Sequence, residues 1–344
     1  MPFDASSRAR DEWKKIYGPS GDMVRKACKP ASLVVLLAYE DKQLTAESCK
    51  DFGNIMAENP NVEEVNLSKN NFGAAGTALG DMLATNKRIS KLHVNECGFD
   101  DKVLAAFAAG IAKNTTLQEL NMAGNKFTAA GFTAFLKVTA ANTRLTTLNI
   151  SNNNFGKDSD ECIVFANAYL ASSNLTTINF SGNAFGEKAS TVLAKNLSKN
   201  KSLTSINFSN NAIGDEGCAA FIDLVKNSQK ITSLALNKNG LGASDNATDL
   251  IEALIASTTL KIVDVADNDF EAETAKLFIK YINTNAIVES LDISGNEFGE
   301  DLASEFVTAL TKTKTLKDID VTECELGEDA EEELEDLDNC DVAT

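Results

Sequence analysis

The stretch LTSINFSNNAIGDEG, residues 203–217, decides the fold of this chain of 344 residues. Apolar residues stand at its first, fourth and sixth positions, an Asn stands at its ninth and a Gly at its twelfth. The pattern occurs ten times, and its ninth positions are 27 to 30 residues apart. Those positions are Asn70, Cys97, Asn125, Asn153, Asn183, Asn211, Asn239, Asn268, Asn296 and Cys324. Ten copies in register predict a solenoid of stacked leucine-rich repeats rather than separate globular domains.

Each copy predicts one short strand followed by one helix. The three apolar residues of a strand point inward and the residues between them point outward. The Asn at the ninth position can donate and accept hydrogen bonds where the chain leaves the strand. Apolar residues then recur at helical spacing, as in Phe221, Leu224 and Val225. Because a helix is bulkier than a strand, we expect an α/β right-handed horseshoe, with the parallel sheet on the concave face and the helices on the convex face.

The repeats predict three segments. A degraded first copy at Leu33, Leu36 and Ala38 extends the array to eleven repeats of about 28 residues over 31–337. Residues 1–30 predict an N-terminal helical cap, in which Trp13 either packs over the first repeat or is presented to a partner. The acidic stretch 328–338 can continue the last helix. Residues 338–344 are expected to form an acidic, frayed tail.

Composition limits the class of binding partner and the cellular compartment that we expect. The net charge of −18 argues against nucleic acid, which requires clustered Lys and Arg, and favours a protein with a basic surface. Seven scattered cysteines without a CxxC pair indicate free thiols in a reducing compartment. No apolar run approaches the roughly 20 residues that span a bilayer, and the N-terminus lacks the apolar core of a secretory signal. We therefore expect a cytoplasmic monomer without membrane insertion.

The sequence offers no catalytic site. Its one histidine, His93, stands at an outward position of the third strand without a nucleophile beside it. There is no phosphate-binding loop, no HExxH and no paired cysteine. Asp264, Asp267 and Asp269 have the spacing of a calcium loop, but the required Gly and the distal Glu are misplaced. We expect no enzymatic activity, no metal and no cofactor.

The outward residues change in character along the chain. The middle outward column reads Asn66, His93, Asn121, Asn149, Asn179, Asn207, Ala235, Asp264, Asp292 and Asp320. In one interpretation, the acidic end receives a basic partner through electrostatic complementarity. The candidate partner-binding residues are Asp264, Asp267, Asp292, Asp318, Asp320 and Glu323, with His93 and Trp13 elsewhere. In the other interpretation, the polar sheet is only a soluble surface, and binding occurs at an edge, on the helices or at the termini.

The segments NNFGAAG (70–76) and NAIGDEG (211–217), with joints such as NTTL (114–117) and NKSL (200–203), resemble the ribonuclease-inhibitor-like leucine-rich repeat family over roughly 31–337. The family's members are intracellular and act through protein–protein contact. They include the tropomodulin- and CARMIL-like actin regulators and the Ran GTPase-activating protein. The resemblance implies a non-catalytic interaction scaffold, such as a cytoskeletal (actin-related) or signalling regulator.

The alternative that the resemblance implies is a small-GTPase regulator like the Ran GTPase-activating protein. Repeat number and the acidic C-terminal stretch fit that alternative. The exposed Arg that marks that protein is missing, because the corresponding stretch EDKQL (40–44) contains none.

Overall fold

The computed structural model describes residues 36–38, 40–42, 44, 46–58, 61–139, 142–153, 155–156, 160–168, 174–335, 337 and 340–344. The predicted cap over 1–30, including Trp13, lies outside the described residues. The chain divides into two compact units, 1–154 and 155–344. Each unit is built from alternating strands and helices, as the repeat pattern predicts.

In the part of the first unit that the structure describes, there are five strands and four helices. Its strands are β1 (Leu36–Ala38), β2 (Glu64–Asn66), β3 (Lys91–His93), β4 (Glu119–Asn121) and β5 (Thr147–Asn149). Its helices are α1 (Ala46–Glu58), α2 (Thr77–Thr85), α3 (Asp101–Ile111) and α4 (Ala129–Thr139), and a 3-10 turn spans Gly73–Gly76. The strands pair in parallel in chain order, so each helix connects two neighbouring strands.

The second unit repeats the same plan. Its strands are β6 (Thr177–Asn179), β7 (Ser205–Asn207), β8 (Ser233–Ala235), β9 (Ile262–Asp264), β10 (Ser290–Asp292), β11 (Asp318–Asp320) and β12 (Asp341–Ala343). Its helices are α5 (Asp160–Ala168), α6 (Gly186–Leu197), α7 (Gly214–Asn227), α8 (Ala247–Ala256), α9 (Ala272–Thr284), α10 (Ala303–Lys312) and α11 (Glu328–Glu335), and 3-10 turns span Leu241–Ala243 and Glu300–Leu302. These strands also pair in parallel in chain order.

The core of each unit lies between its sheet and its helices. The central residue of each strand points into this core, as shown by the buried Leu92, Ile206 and Leu291. The eleventh position of the pattern adds stacked aromatic rings to this core, with centroids 6.4 Å apart for Phe72 and Phe99. The first and third residues of the strands lie on the opposite face of the sheet. That outward face is where the functional candidates lie.

The Asn at the ninth position of each repeat forms a buried hydrogen-bond ladder. Asn211 Oδ1 accepts a bond from Asn183 N at 3.0 Å. Its Nδ2 donates to three carbonyl oxygens, those of Phe180 (3.1 Å), Phe208 (3.0 Å) and Ser209 (3.1 Å). The ladder therefore links one repeat to the next, as the sequence predicts.

Cysteine replaces this Asn in two repeats, and its thiol donates instead. Cys97 Sγ lies 3.4 Å from Leu67 O, and Cys324 Sγ lies 3.2 Å from Ile293 O. Burial raises the pKa of both thiols to about 12, so they stay protonated at neutral pH. Both cysteines are fully buried.

The last residues do not fray, contrary to the prediction for 338–344. Helix α11 ends at Glu335, and β12 then pairs in parallel with β11. Asp341 N donates to Lys317 O at 2.7 Å, and Val321 N donates to Ala343 O at 2.9 Å. Unpaired backbone groups along an edge strand are costly when shielded from water. The last residues satisfy those of β11, and Cys340 is buried beside them.

Candidate functional site

The third residue of each strand lies on the outward face, and in eight of the described strands its side chain shapes the turn that follows. In five strands it is an Asn whose Oδ1 accepts a hydrogen bond from the backbone N–H two residues later. The pairs are Asn66–Ser68 (3.0 Å), Asn121–Ala123 (3.3 Å), Asn149–Ser151 (2.9 Å), Asn179–Ser181 (2.9 Å) and Asn207–Ser209 (3.0 Å). Short polar side chains commonly bond their own backbone in this way. The Asn thus fixes the point where the chain leaves the strand.

Strands β9, β10 and β11 carry Asp at the same position, with the same geometry. The hydrogen bonds run to Asp264 Oδ1 from Ala266 N (3.2 Å), to Asp292 Oδ1 from Ser294 N (3.1 Å) and to Asp320 Oδ1 from Thr322 N (2.9 Å). The hydroxyls of Ser294 and Thr322 also donate to these carboxylates, at 2.7 and 2.6 Å. Asp therefore replaces Asn in the turn and adds one negative charge per strand.

These three carboxylates form what we call the aspartate row: Asp264, Asp292 and Asp320. They are paired in register on neighbouring strands. Because such strands lie about 4.8 Å apart, the outer two are separated by about 10 Å at the backbone. Among the described residues, no Lys, Arg or His nitrogen lies within 4.0 Å of these carboxylates. The row is a site of uncompensated negative charge.

The pKa of Asp264 is shifted by its surroundings. Burial raises its pKa to about 6; the Ala266 N–H opposes that rise and the charge of Asp292 adds to it. Asn237 Nδ2 donates to its other oxygen at 2.5 Å. The ionised carboxylate is partly deprived of water and lies beside a like charge, so a nearby cation would stabilise it.

The remaining acidic candidates surround the row. Asp318 is the exposed first residue of β11 and is paired in register with Asp341 of β12. Asp267 and Glu323 stand three residues after Asp264 and Asp320, in turns with positive φ of 50° and 58°. Asp267 forms an exposed ion pair with Lys238 at 3.6 Å, and such pairs contribute little to stability. The structure thus places all six acidic candidates on or directly after β9 and β11 and on β10.

His93 belongs to the other unit. It lies on β3 between Asn66 and Asn121, in the register that the sequence predicts. Its Nε2 is 3.0 Å from Glu119 Oε1, and Lys91 Nζ is 3.9 Å from the other oxygen of that carboxylate. His93 therefore has a local acidic partner and is not part of the aspartate row.

Two residues of this surface were missed by sequence reasoning. Asn237 supports Asp264, and Ile262 exposes an apolar side chain on β9. Ile262 could have been noticed as a large apolar residue in a first outward column that is otherwise polar from β2 to β11. The turn-forming role of the Asn column could have been found from the Asn-x-Ser pattern that several repeats share.

Two further observations concern the described residues only. No group of His, Cys, Asp and Glu side chains is arranged there to hold a metal ion. No described helix has both the length and the apolar character needed to cross a membrane.

Comparisons with known proteins agree with the repeat. Family models described as leucine-rich repeat match residues 58–77, 113–136, 144–164 and 199–221. Ribonuclease inhibitor from Sus scrofa is 29% identical over 98 residues, which is 28% of this chain but only 22% of the inhibitor's length.

Two solved structures share the fold at low sequence identity. An internalin from Listeria monocytogenes is 15% identical, with a TM-score of 0.52, over 96% of each chain. The leucine-rich repeat-containing protein LegL7 from Legionella pneumophila is 16% identical, with a TM-score of 0.51, over 78% of this chain and 85% of its own. At these identities the likeness concerns the fold alone.

Leucine-rich repeat proteins are interaction scaffolds, in which stacked repeats present an extended surface to a protein partner. Three features of this chain agree with the leucine-rich repeat fold: the buried Asn ladder, the parallel strand order within each unit and the matched repeats. The chain therefore contains leucine-rich repeats, and a stretch of 98 residues is similar to ribonuclease inhibitor.

Proposed function

We propose that this protein is a non-catalytic protein-interaction scaffold and that the aspartate row receives a partner with a basic surface. One observation carries the proposal: Asn performs the same turn-forming role in five other strands without a charge. Asp267, Asp318 and Glu323 extend the negative surface around the row. His93 and Trp13, which lie elsewhere in the chain, are proposed as secondary contacts.

The alternative explanation, a merely soluble polar sheet, accounts poorly for the aspartate row. Solubility requires no charge at these positions, because Asn is polar and already suits the turn. Neighbouring carboxylates repel one another, and the raised pKa of Asp264 shows that its ionised form is disfavoured where it lies. A complementary positive surface would offset both effects and would also accelerate association.

The cysteines support an intracellular setting. The six that the structure describes are buried, free thiols. Free thiols are typical of a reducing compartment such as the cytoplasm. A cytoplasmic partner with a basic surface is therefore the most economical expectation, and the scaffold is proposed to act as a monomer.

The experiment is affinity capture from the lysate of the source cells on three forms of the full chain. One is the wild type, and one carries Asp264→Asn, Asp292→Asn and Asp320→Asn. The control carries Glu252→Gln, Glu273→Gln and Glu305→Gln, which removes the same charge from exposed positions on α8, α9 and α10. A partner retained by the wild type and the control, but reduced at least fivefold on the Asn variant, would support the proposal.

Salt dependence provides a second readout of the same experiment. Binding to the aspartate row should weaken as ionic strength rises, because exposed charges are screened over about 10 Å at 0.1 M salt. Equal retention by all three forms would instead favour binding on the helices, on a sheet edge or at the termini.

Regulation of a small GTPase is the second candidate, and actin-related regulation is a narrower form of the first. At the stretch 40–44, Glu40 accepts from Asn66 Nδ2 at 3.2 Å and pairs with Lys69 at 3.1 Å. Glu40 is thus acidic and paired, and the stretch has no Arg to offer a GTP phosphate. Acceleration of GTP hydrolysis by a Ran-type GTPase would favour the second candidate, whereas cosedimentation with actin filaments would favour the actin-related one.

A further inference from the structure

An apolar side chain is exposed beside the aspartate row. Ile262, the first residue of β9, is 49% exposed. The other large apolar side chains that are comparably exposed among the described residues, Val138 and Val164, lie on helices α4 and α5. Isolated exposed apolar residues are common on protein surfaces and need no explanation by themselves. The position of Ile262 within the sheet is what gives it significance.

The neighbours of Ile262 in the sheet are small. Parallel pairing places Ser233 on one side and Ser290 on the other. Serine at these two positions shows that the strand geometry does not require an apolar side chain there. Short side chains on both flanks leave the isoleucine accessible from above the sheet, so its exposed surface is available to a partner.

The same side chain borders the negative charges. Asp264 follows Ile262 by two residues, so both point to the outward face about 6.6 Å apart along the strand. Asp292 lies diagonally across on β10, and Asp318 stands at the position equivalent to Ile262 two strands away. We call Ile262 together with Asp264, Asp292, Asp318 and Asp320 the Ile262 patch. The Ile262 patch combines one exposed apolar side chain with several carboxylates that no nearby cation neutralises.

We infer that the Ile262 patch takes a basic segment that carries an apolar side chain next to its Lys or Arg residues. The apolar side chain of this segment would contact Ile262, and its Lys or Arg side chains would pair with the carboxylates of the aspartate row. The argument for this occupant is charge complementarity joined to an apolar anchor at a fixed distance. The inference rests on the proposed function and adds to it, because it states which basic partners are preferred.

The spacing suggests the pattern of such a segment. In an extended chain, residues i and i+2 lie about 6.6 Å apart on one face, which matches the distance from Ile262 to Asp264. The expected segment therefore has its first basic residue two positions after the apolar residue. The aspartate row runs across the strands at about 4.8 Å per strand, so further basic residues at alternate positions reach its other carboxylates through their long side chains. A segment that is basic but lacks the apolar residue would bind through charge alone, more weakly and with less selectivity.

The test uses three labelled peptides of eleven residues in a glycine and serine background. The first has one leucine followed by three lysines at alternate positions, the second replaces the leucine with serine, and the third replaces the lysines with glutamates. Binding to the full chain is measured by fluorescence anisotropy. We expect the leucine peptide to bind the wild type about tenfold more tightly than the serine peptide, since covering part of an isoleucine contributes roughly that factor.

The decisive variant is Ile262→Ser, which copies the two flanking strands. It should abolish the preference for leucine while leaving the affinity for the serine peptide unchanged. Val164→Ser, which removes a comparably exposed apolar side chain from α5, is the matched control and should keep the preference. The melting curve of each variant confirms that the chain remains folded.

Failure of the inference and failure of the proposed function give different results. If neutralising the aspartate row weakens both basic peptides but Ile262→Ser changes nothing, the apolar anchor is wrong and the proposed function stands. If the glutamate peptide binds as well as the lysine peptides, the proposed function is wrong and the inference is overturned with it. If Ile262→Ser instead dissociates a dimer detected by sedimentation, the occupant is a second copy of the chain and the inference is also wrong.

Discussion

Strands β7 and β10 differ in a way that separates what the fold requires from what it tolerates. The turn after β7 is held by Asn207 Oδ1, 3.0 Å from Ser209 N, and the turn after β10 by Asp292 Oδ1, 3.1 Å from Ser294 N. Either residue supplies the hydrogen-bond acceptor that holds this turn, and the charge plays no part in that bond. The charge on β10 is an addition to that requirement and is available for binding.

The strongest test of this comparison is to replace Asn by Asp at two positions that lie four residues apart. Asn211→Asp should lower the free energy of unfolding by about 3–5 kcal/mol, because it removes three donated hydrogen bonds and buries a charge facing carbonyl oxygens. Asn207→Asp should change it by no more than about 0.5 kcal/mol, since its turn requires only an acceptor. Urea unfolding followed by circular dichroism measures both values.

The results for these two substitutions also test the proposed function. If Asn207→Asp proved as damaging as Asn211→Asp, Asp would not be interchangeable with Asn in the outward column. The acids on β9, β10 and β11 would then reflect local structural needs of those strands. The aspartate row would then not be evidence for a binding surface.

The second challenge concerns the stability cost of the charge on β9. Asp264→Asn keeps an oxygen for the Ala266 N–H, and the Asn237 amide can turn to accept from the new amide group. The rise of the Asp264 pKa from 3.8 to about 6 corresponds to about 3 kcal/mol at full effect. Partial exposure to solvent reduces the expected gain to about 1–2 kcal/mol at pH 7.

The sign of the pH dependence follows from which state ionises first. Below pH 3.8 Asp264 is protonated in both states, so the substitution should bring no gain. Between pH 3.8 and about 6 the unfolded chain ionises first, and wild-type stability falls as pH rises. The difference between Asp264→Asn and wild type should therefore grow across this interval and level off above pH 6. A difference that is constant from pH 4 to pH 7.5 would show that burial of the charge is not its source.

The sequence predicts the regular parts of this molecule because they depend on period and residue type. The repeat spacing predicts strands β2 to β11, the burial of Leu92 and Ile206, and the hydrogen bonding of Asn211. The first copy, predicted at Leu33, Leu36 and Ala38, is shifted by one residue, because Leu37 rather than Leu36 pairs with Val65. The repeat spacing also predicts the register that places Asp264, Asp292 and Asp320 side by side. These features follow from which residues recur at 27 to 30 positions, and each repeat confirms the others.

The features that escaped prediction depend on single neighbours rather than on the repeat. Strand β12 forms because the edge of β11 offers unpaired backbone groups, and an acidic tail gives no apolar pattern that indicates this. The bond from Asn237 to Asp264 depends on two side chains in different repeats meeting at 2.5 Å. The exposure of Ile262 depends on the short serine side chains beside it on the two flanking strands.

The smallest effect concerns the hydroxyl groups next to the two kinds of turn. Ser294 Oγ donates to the carboxylate of Asp292 at 2.7 Å, whereas the buried Ser209 Oγ beside Asn207 has no hydrogen-bond partner among the described residues. Ser294→Ala should therefore lower the free energy of unfolding by about 1 kcal/mol, because it removes a bond to a charged acceptor. Ser209→Ala should be neutral or raise it by up to about 0.5 kcal/mol, because it removes an unsatisfied buried hydroxyl. Repeating Ser294→Ala in an Asp292→Asn background gives a double-mutant cycle. If the cost of Ser294→Ala does not shrink there, the hydroxyl does not depend on the charge, and the two turns would differ only in net charge.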